Sequence, residues 1–136
     1  MMLRTTSQPR NLAVTESRDS GATWSEPSVT DYTDSGCRFH FGRLPDGRFF
    51  GLSCPEPKSR RTPLILATSE DGVVFDRQYI LGNEPADPAR ESGGTALAHG
   101  RYGYPHAHIC GDTMYVIYSV CKEDIWVCRF PLSELK

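Results

Sequence analysis

Arginine and histidine side chains recur at a spacing of two residues in two strand-like parts of the sequence. Arg38 and His40 form one pair, and His106 and His108 form the other. Residues two apart on a strand point to the same face, so each pair would present two polar groups together to a ligand. For Arg38, a structural ion pair is the alternative. Two histidines alone are too few ligands for a stable metal site, so we expect no metal.

Glu123 and Asp124 are adjacent carboxylates that invite comparison with a glycosidase acid/base pair. Glycosidases need two carboxyl groups that flank the same scissile bond. Neighbouring residues on a strand point to opposite faces, so these two cannot form such a pair together. Surface salt bridges are the expected role.

Charge and hydropathy narrow the class of protein. The 136 residues carry a formal net charge of -2 with mixed signs, which predicts neither a nucleic-acid partner nor a membrane-surface partner. The longest apolar runs, such as residues 114–118, are too short to span a bilayer. The N-terminus has no apolar signal-peptide core. As written, the sequence predicts a cytoplasmic protein, and a longer parent chain would leave its compartment open.

Cysteine number and spacing predict structural thiols. The sequence has five cysteines, an odd number, and no pair has CxxC spacing, which speaks against a zinc cluster. Most lie in apolar strand-like runs, where a reduced cysteine behaves as a small hydrophobe. No cofactor is expected. The five positions are Cys37, Cys54, Cys110, Cys121 and Cys128.

Short strands would carry these residues. Apolar residues show no long 3.6-residue period, and runs rich in β-branched and aromatic residues alternate with Gly, Pro, Asp and Ser. Tight turns without crossover helices predict an all-β chain of antiparallel meander sheets, with one long loop over residues 82–101. The predicted strands cover residues 11–15, 24–30, 38–44, 48–54, 63–69, 74–81, 104–109, 113–120 and 123–130.

One turn sequence occurs twice, with Ser17 and Ser69 lying 52 residues apart. The unit is Ser, a residue, Asp, Gly and an aromatic, and the second copy is one residue shorter. The Asp carboxylate can accept hydrogen bonds from turn N–H groups, and the aromatic ring is expected to fold back and become buried. The unit is therefore a structural fastener without catalytic chemistry. Its residues are Ser17, Asp19, Gly21 and Trp24 in the first copy, and Ser69, Asp71, Gly72 and Phe75 in the second.

This unit resembles the Asp-box, or bacterial-neuraminidase repeat, of the sialidase superfamily. The resemblance implies a six-bladed β-propeller with four antiparallel strands in each blade. Asp-boxes also occur in propellers that are not sialidases, including sortilin-like receptors and photosystem assembly factors. The resemblance therefore implies the fold more strongly than the function.

With the Asp-box between the third and fourth strands of a blade, the chain divides into three parts. Residues 1–32 would end one blade, residues 36–82 would form a complete blade, and residues 102–132 would supply three strands of the last. The chain would then be the C-terminal portion of the propeller, about two and a half blades of six. Unpaired sheet edges predict either self-association or completion by an upstream chain.

The resemblance also implies a site. Sialidases bind the carboxylate of sialic acid with three arginines and use a tyrosine nucleophile, an activating glutamate and an acid/base aspartate. Arg4 resembles the second arginine, Arg61 the third, and Tyr104 the nucleophile. The alternatives are a terminal arginine, an exposed basic pair and an aromatic packed at a loop–strand junction. Pro105 and His106 depart from the Tyr-Ser sequence usual in sialidases.

Inner strands line the central funnel of a propeller, so Arg38, His40 and His106 are expected to contact substrate as well. The function implied is the C-terminal part of a sialidase-like glycoside hydrolase that is inactive by itself, since the aspartate and glutamate would lie upstream. The partner would be a sialoside or related glycan. The alternatives are a non-catalytic carbohydrate- or protein-binding propeller fragment and a self-assembling half-propeller.

Overall fold

The computed structural model describes residues 1–5, 10–58, 61–84 and 101–136. These ranges form strands and one short 3-10 turn, Leu132–Glu134, which is far too short to cross a bilayer. Most of the predicted loop at 82–101 lies outside the described residues. The strands are β1 (Met2–Leu3), β2 (Asn11–Val14), β3 (Ser28–Thr33), β4 (His40–Arg43), β5 (Phe49–Ser53), β6 (Leu64–Ser69), β7 (Arg77–Gly82), β8 (Tyr102–Cys110), β9 (Thr113–Val120) and β10 (Asp124–Pro131).

The strands form three antiparallel sheets in which sequence neighbours are also spatial neighbours. Sheet I has the order β1-β2-β3, sheet II the order β4-β5-β6-β7, and sheet III the order β8-β9-β10. The prediction of an all-β chain of antiparallel meander sheets is confirmed. Short turns impose this order, because two strands joined by a tight turn pair antiparallel.

Three predicted strands begin two or more residues later than expected. The strand predicted from Val74 begins at Arg77, because the Val74 N–H still donates to the Asp71 carboxylate within the preceding turn. The strand predicted from Trp24 begins at Ser28, because the turn continues to the Ser25 N–H, which donates to the Glu16 carbonyl at 2.8 Å. The strand predicted from Arg38 begins at His40. Just before it, the Gly36 N–H and the Cys37 thiol donate to the Asp34 side chain, so the chain is still in a turn, and pairing starts at His40, opposite Leu52.

Sheet II is the most buried sheet, and every residue of β6 is buried. Two glycines allow aromatic rings to lie flat on its β4–β5 pair. A Cβ on Gly42 would lie 2.5 Å from the Phe50 ring, and a Cβ on Gly51 would lie 2.6 Å from the Phe41 ring. Any side chain at either glycine would displace a ring.

Sheets II and III share one apolar core, which includes Leu52 and Leu66 from sheet II and Met114 and Val116 from sheet III. Sheet I attaches to sheet II through Tyr32 in β3. The Tyr32 hydroxyl hydrogen-bonds the Ser53 hydroxyl at 2.8 Å. The three sheets are thus linked in chain order.

The first Asp-box joins β2 to β3. Asp19 accepts hydrogen bonds from the Thr23 N–H at 2.8 Å and from the Ser17 hydroxyl at 2.8 Å, while the Gly21 N–H donates to the Ser17 hydroxyl at 2.7 Å. The Trp24 indole N–H closes the turn on the Gly21 carbonyl at 3.1 Å. The expectation that Trp24 buries its ring is wrong, because the ring covers only the turn itself and stays 47% exposed.

The second Asp-box joins β6 to β7, the third and fourth strands of sheet II. The Asp71 carboxylate accepts from the Val73 and Val74 N–H groups at 2.8 and 2.9 Å. The Ser69 hydroxyl donates to the same carboxylate oxygen at 3.0 Å and accepts the Gly72 N–H at 2.9 Å. Both boxes therefore use the same fasteners.

Candidate functional site

Sheets II and III meet at their first strands, β4 and β8, and a histidine pair joins them. The Ala107 N–H donates to His40 Nδ1 at 2.9 Å. The His40 and His106 rings stack, with centroids 4.0 Å apart and an interplanar angle of 23°. The structure thus brings together two of the predicted ligand-contacting residues across 66 positions of sequence, the difference between their residue numbers.

The hydrogen bond at His40 determines which ring nitrogen of the neutral imidazole carries the proton. Since Nδ1 accepts a hydrogen bond from the Ala107 N–H, a neutral His40 carries its own proton on Nε2. Burial, and then the charge of His106, lower the pKa of His40. His40 is therefore neutral at pH 7 and offers Nε2–H as a donor.

Tyr104 lies at a bulge at the start of β8. The register of β8 against β9 shifts between Gly103 and His106, and Tyr104 has a φ of 54°. A positive φ is unfavourable for a bulky aromatic residue and persists only where the surroundings impose it. A bulge re-aims a side chain, and here the Tyr104 ring is 48% exposed.

Arg38 lies beside Tyr104, and Arg61 lies beside the neighbouring Gly103 at the same bulge. The Arg38 guanidinium carbon lies 5.5 Å from the centroid of the Tyr104 ring, within cation–π range. The Arg61 guanidinium lies beside Gly103, where an added Cβ would be 3.3 Å from Nη1. Arg61 also has a positive φ, 57°, and its carbonyl accepts the Tyr102 N–H at 3.3 Å.

Arg4 follows β1 and reaches the segment that leads to Arg38. Its Nη1 donates to the Gly36 carbonyl in a long hydrogen bond of 3.5 Å. Arg10, which the sequence did not single out, donates from Nη1 to the Ser35 carbonyl at 2.8 Å. Two arginines of sheet I therefore contact the segment between Asp34 and Arg38.

Asp34 is a further residue that sequence reasoning missed. It is the only carboxylate in the described residues that is buried, at 2% exposure. Its carboxylate accepts the Gly36 N–H at 2.8 Å and the Cys37 thiol at 3.8 Å. Burial raises the pKa of Asp34, against these hydrogen bonds and the charge of Arg4. The available signal was its Asp-Ser-Gly sequence, which favours a turn closed by the Asp side chain.

Cys37 lies within this segment, and both Cys37 and Cys54 are fully buried. All five cysteines are free thiols. The hydrogen bond with Cys37, and then burial, raise the pKa of the Cys54 thiol. Cys54 therefore remains protonated and serves as a packing residue.

The β4–β8 junction thus gathers Arg38, His40, Arg61, Tyr104 and His106, with Arg4 reaching the adjoining segment. His108 lies further along β8, opposite Tyr115 of β9. Glu123 and Asp124 lie in the β9–β10 turn and at the start of β10. In the part of the chain that the structure describes, no carboxylate hydrogen-bonds the Tyr104 hydroxyl, and no three metal-ligating side chains form a group.

Meander sheets fastened by Asp-box turns define a β-repeat protein of the Asp-box type. The chain belongs to the BNR repeat-like domain family, whose model matches residues 1–117. These are repeats of the sialidase type, as the two Asp-boxes indicated. No curated protein and no solved structure matches the chain significantly.

Proposed function

We propose that this chain supplies later blades of a sialidase-like β-propeller and that its β4–β8 junction binds a carboxylate-bearing glycan, such as a sialoside. In this proposal sheet II is a complete blade, because it has four meander strands with an Asp-box between the third and fourth. Sheets I and III would belong to the neighbouring blades. Closing the ring would take strands from further polypeptide.

The observation that carries the proposal is that two arginines meet at the bulge that holds Tyr104, with Arg38 against its ring and Arg61 against Gly103. Arg38 and Arg61 come from different connections of sheet II, yet both lie at the bulge that turns Tyr104 outward. A guanidinium offers a planar fork of donors that matches a carboxylate. Such a site suits a sugar acid better than a neutral sugar, and the neutral His40 and exposed His106 would add contacts to hydroxyl groups.

Hydrolysis would require more than binding. A sialidase-type tyrosine nucleophile needs a carboxylate base, and the Tyr104 hydroxyl bonds none in the described residues. We therefore propose that this chain binds the glycan without cleaving it, and that catalysis would depend on an acid and a base from the rest of the propeller. The same geometry supports a purely carbohydrate-binding module.

Titration of the full chain with 3′-sialyllactose and with lactose tests the site. We expect saturable binding of the sialoside alone, followed by NMR or calorimetry. Arg61→Ala and Arg38→Ala should each weaken sialoside binding about tenfold, a loss of ~1.4 kcal/mol of binding free energy. Arg61→Lys should keep only part of the affinity, because lysine lacks the planar donor fork of the guanidinium. Arg77→Ala, an exposed arginine on β7, is the matched control.

Equal binding of lactose, or loss of sialoside affinity in the Arg77 variant, would contradict a carboxylate-specific site. Hydrolysis is tested separately with a fluorogenic sialoside. Turnover by the wild-type chain that disappears in Tyr104→Phe would overturn the proposal that this chain binds without cleaving.

A further inference from the structure

The His40–His106 contact joins two strands that are each fixed by their own sheet. His40 pairs with Leu52 across the β4–β5 ladder, and His106 pairs with Ile117 across the β8–β9 ladder. Both rings are therefore attached to backbones that their sheets hold in place. His40 is half-buried and His106 is exposed, so solvent protons can reach the pair.

The contact requires that His40 is neutral. Because Nε2 already carries a proton, an added proton goes to Nδ1, where it would meet the Ala107 N–H, and two donors would then face each other. The other ring beside His40 is Phe50, edge-to-face at 5.6 Å, and it offers no carboxylate or carbonyl oxygen. A protonated His40 therefore loses its bond to Ala107 and gains no partner from these neighbours.

The charged groups around the pair also oppose a proton on His40. His106 lies directly against its ring and, after burial, lowers the pKa of His40. Arg38 lies two residues before His40 and contacts Tyr104, and Arg61 lies at the bulge before His106. Within the described ranges no carboxylate bonds either imidazole ring, so no anion compensates for a second cation.

We propose that the His40–His106 contact makes the β4–β8 junction pH-sensitive: the junction is closed while His40 is neutral and opens when His40 takes up a proton. The opening is local, because the shared apolar core still holds sheets II and III together. The contact between Arg38 and Tyr104 lies two positions earlier in each segment. Opening therefore draws these two groups apart and weakens glycan binding, a consequence that rests on the proposed function.

The direction of the pKa shift gives the pH range. A histidine whose folded-state pKa lies below its unfolded value of about 6.5 adds stability that is complete above that pH and is lost as pH falls. Asp34 acts in the opposite direction, because burial raises its pKa and its protonation then favours the folded state. The lowered pKa values of Asp19 and Asp71 affect stability only below about pH 4. A loss of stability that begins near pH 6.5 is therefore separable from these carboxylates.

NMR of the full chain between pH 7 and pH 5 tests the opening without any variant, through the histidine ring shifts and amide hydrogen exchange. As His40 takes up its proton, the protection factor of the Ala107 amide should fall about tenfold or more. The Leu66 amide, in the buried strand β6, should keep its protection within about twofold. A His40 ring that stays neutral down to pH 5, an Ala107 amide that keeps its protection after His40 is protonated, or an equal loss at Leu66 would overturn the proposal.

Three substitutions separate His40 from the other histidines. His40→Asn keeps an acceptor in the place of Nδ1 but takes up no proton, so Ala107 should stay protected at pH 5. His106→Gln removes the opposing charge and should move the loss of protection to higher pH. His108→Gln, two residues further along the same strand face, is the matched control and should leave the midpoint unchanged. A midpoint that does not rise in His106→Gln, or that moves equally in His108→Gln, would contradict the role of the stacked pair.

Titration with 3′-sialyllactose at pH 7 and pH 5 tests the consequence for the glycan site. Between these pH values, wild type should lose about tenfold more affinity than His40→Asn, because His106 is present in both and only the group at position 40 differs. Equal losses would show that the junction does not regulate binding. If the sialoside binds at neither pH, the proposed function fails, and the Ala107 exchange still decides whether the junction opens.

Discussion

The two Asp-box turns have the same fasteners but different surroundings. In the first, from Ser17 to Trp24, every residue but Ser17 is exposed, and the aromatic ring covers only its own turn. In the second, Ser69 is buried, and Phe75 packs edge-to-face against Tyr32 at 5.2 Å. The local sequence forms the turn in both places, and the neighbouring sheet decides how much the turn stabilises the fold.

The second turn owes this difference to its position at the junction of sheets I and II. Phe75 also meets Phe41 of β4 at 5.5 Å, and Tyr32 meets Phe41 at 5.8 Å. The three rings connect the turn to β3, which leads into the segment that Arg4 and Arg10 contact. The second Asp-box thus supports the position of sheet I beside the candidate site.

The largest predicted difference lies in the aromatic residues. Phe75→Ala removes a ring from a three-ring cluster and should lower the free energy of unfolding by about 2 kcal/mol. Trp24→Ala loses a mostly exposed ring and one hydrogen bond, and should cost about 1 kcal/mol or less. Urea denaturation of both variants measures the difference. Equal losses would show that the surroundings of the turns do not matter.

Alanine substitutions of the two Asp-box serines should differ less in their effect on the free energy of unfolding. Ser69→Ala removes a buried hydroxyl and leaves the half-buried Gly72 N–H without its acceptor, and should cost about 1–2 kcal/mol. Ser17→Ala exposes the Gly21 N–H to water, which replaces the lost bond, so the loss should stay near ~0.5 kcal/mol. Thermal unfolding of the two variants side by side tests the order, and a larger loss for Ser17→Ala would reverse the comparison.

Alanine substitutions of the two Asp-box glycines should also differ in their cost to stability. Both have a positive φ, 91° at Gly21 and 75° at Gly72, so alanine is strained at either position by roughly 1 kcal/mol. At Gly72 an added Cβ would also lie 3.3 Å from the Phe49 ring. Gly72→Ala should therefore cost a few tenths of a kcal/mol more than Gly21→Ala. The difference would vanish in a Phe49→Ala background if this contact causes it.

The smallest expected effect is a loss of folding stability at acid pH. Hydrogen bonds from the Thr23 side chain and N–H and from Ser17 lower the pKa of Asp19 from 3.8 to about 2, and the N–H groups of Val74 and Val73 lower that of Asp71. A lowered folded-state pKa adds stability that is complete above the unfolded pKa and is lost as pH falls from about 4 towards 2. Denaturation at pH 7 and pH 3 should show this loss. Asp19→Asn should reduce the pH dependence, and an unchanged slope would mean that the Asp19 carboxylate is not its source.

Sequence reasoning predicted most of the strands because alternation and turn chemistry act between residues close in the chain. It set the start of β4 at Arg38 because it did not use the Asp-Ser-Gly turn signal at Asp34, and it expected a buried Trp24 because the turn sequence does not tell whether another sheet packs beside it. It selected Arg38, His40, Arg61 and Tyr104 but gave no geometry for them. Their roles as substrate contacts and nucleophile stay predictions.

By itself, the sequence determined the all-β class, the two Asp-box turns and the repeat family, since each depends on patterns a few residues long. Only the tertiary structure decided that His40 stacks on His106, that Asp34 is buried beside Arg4, and that Tyr104 takes a positive φ beside Arg38. These contacts join residues up to 66 positions apart, the difference between the residue numbers of His40 and His106. They arise because sheets II and III share a core, and sequence periodicity does not determine how two sheets pack together.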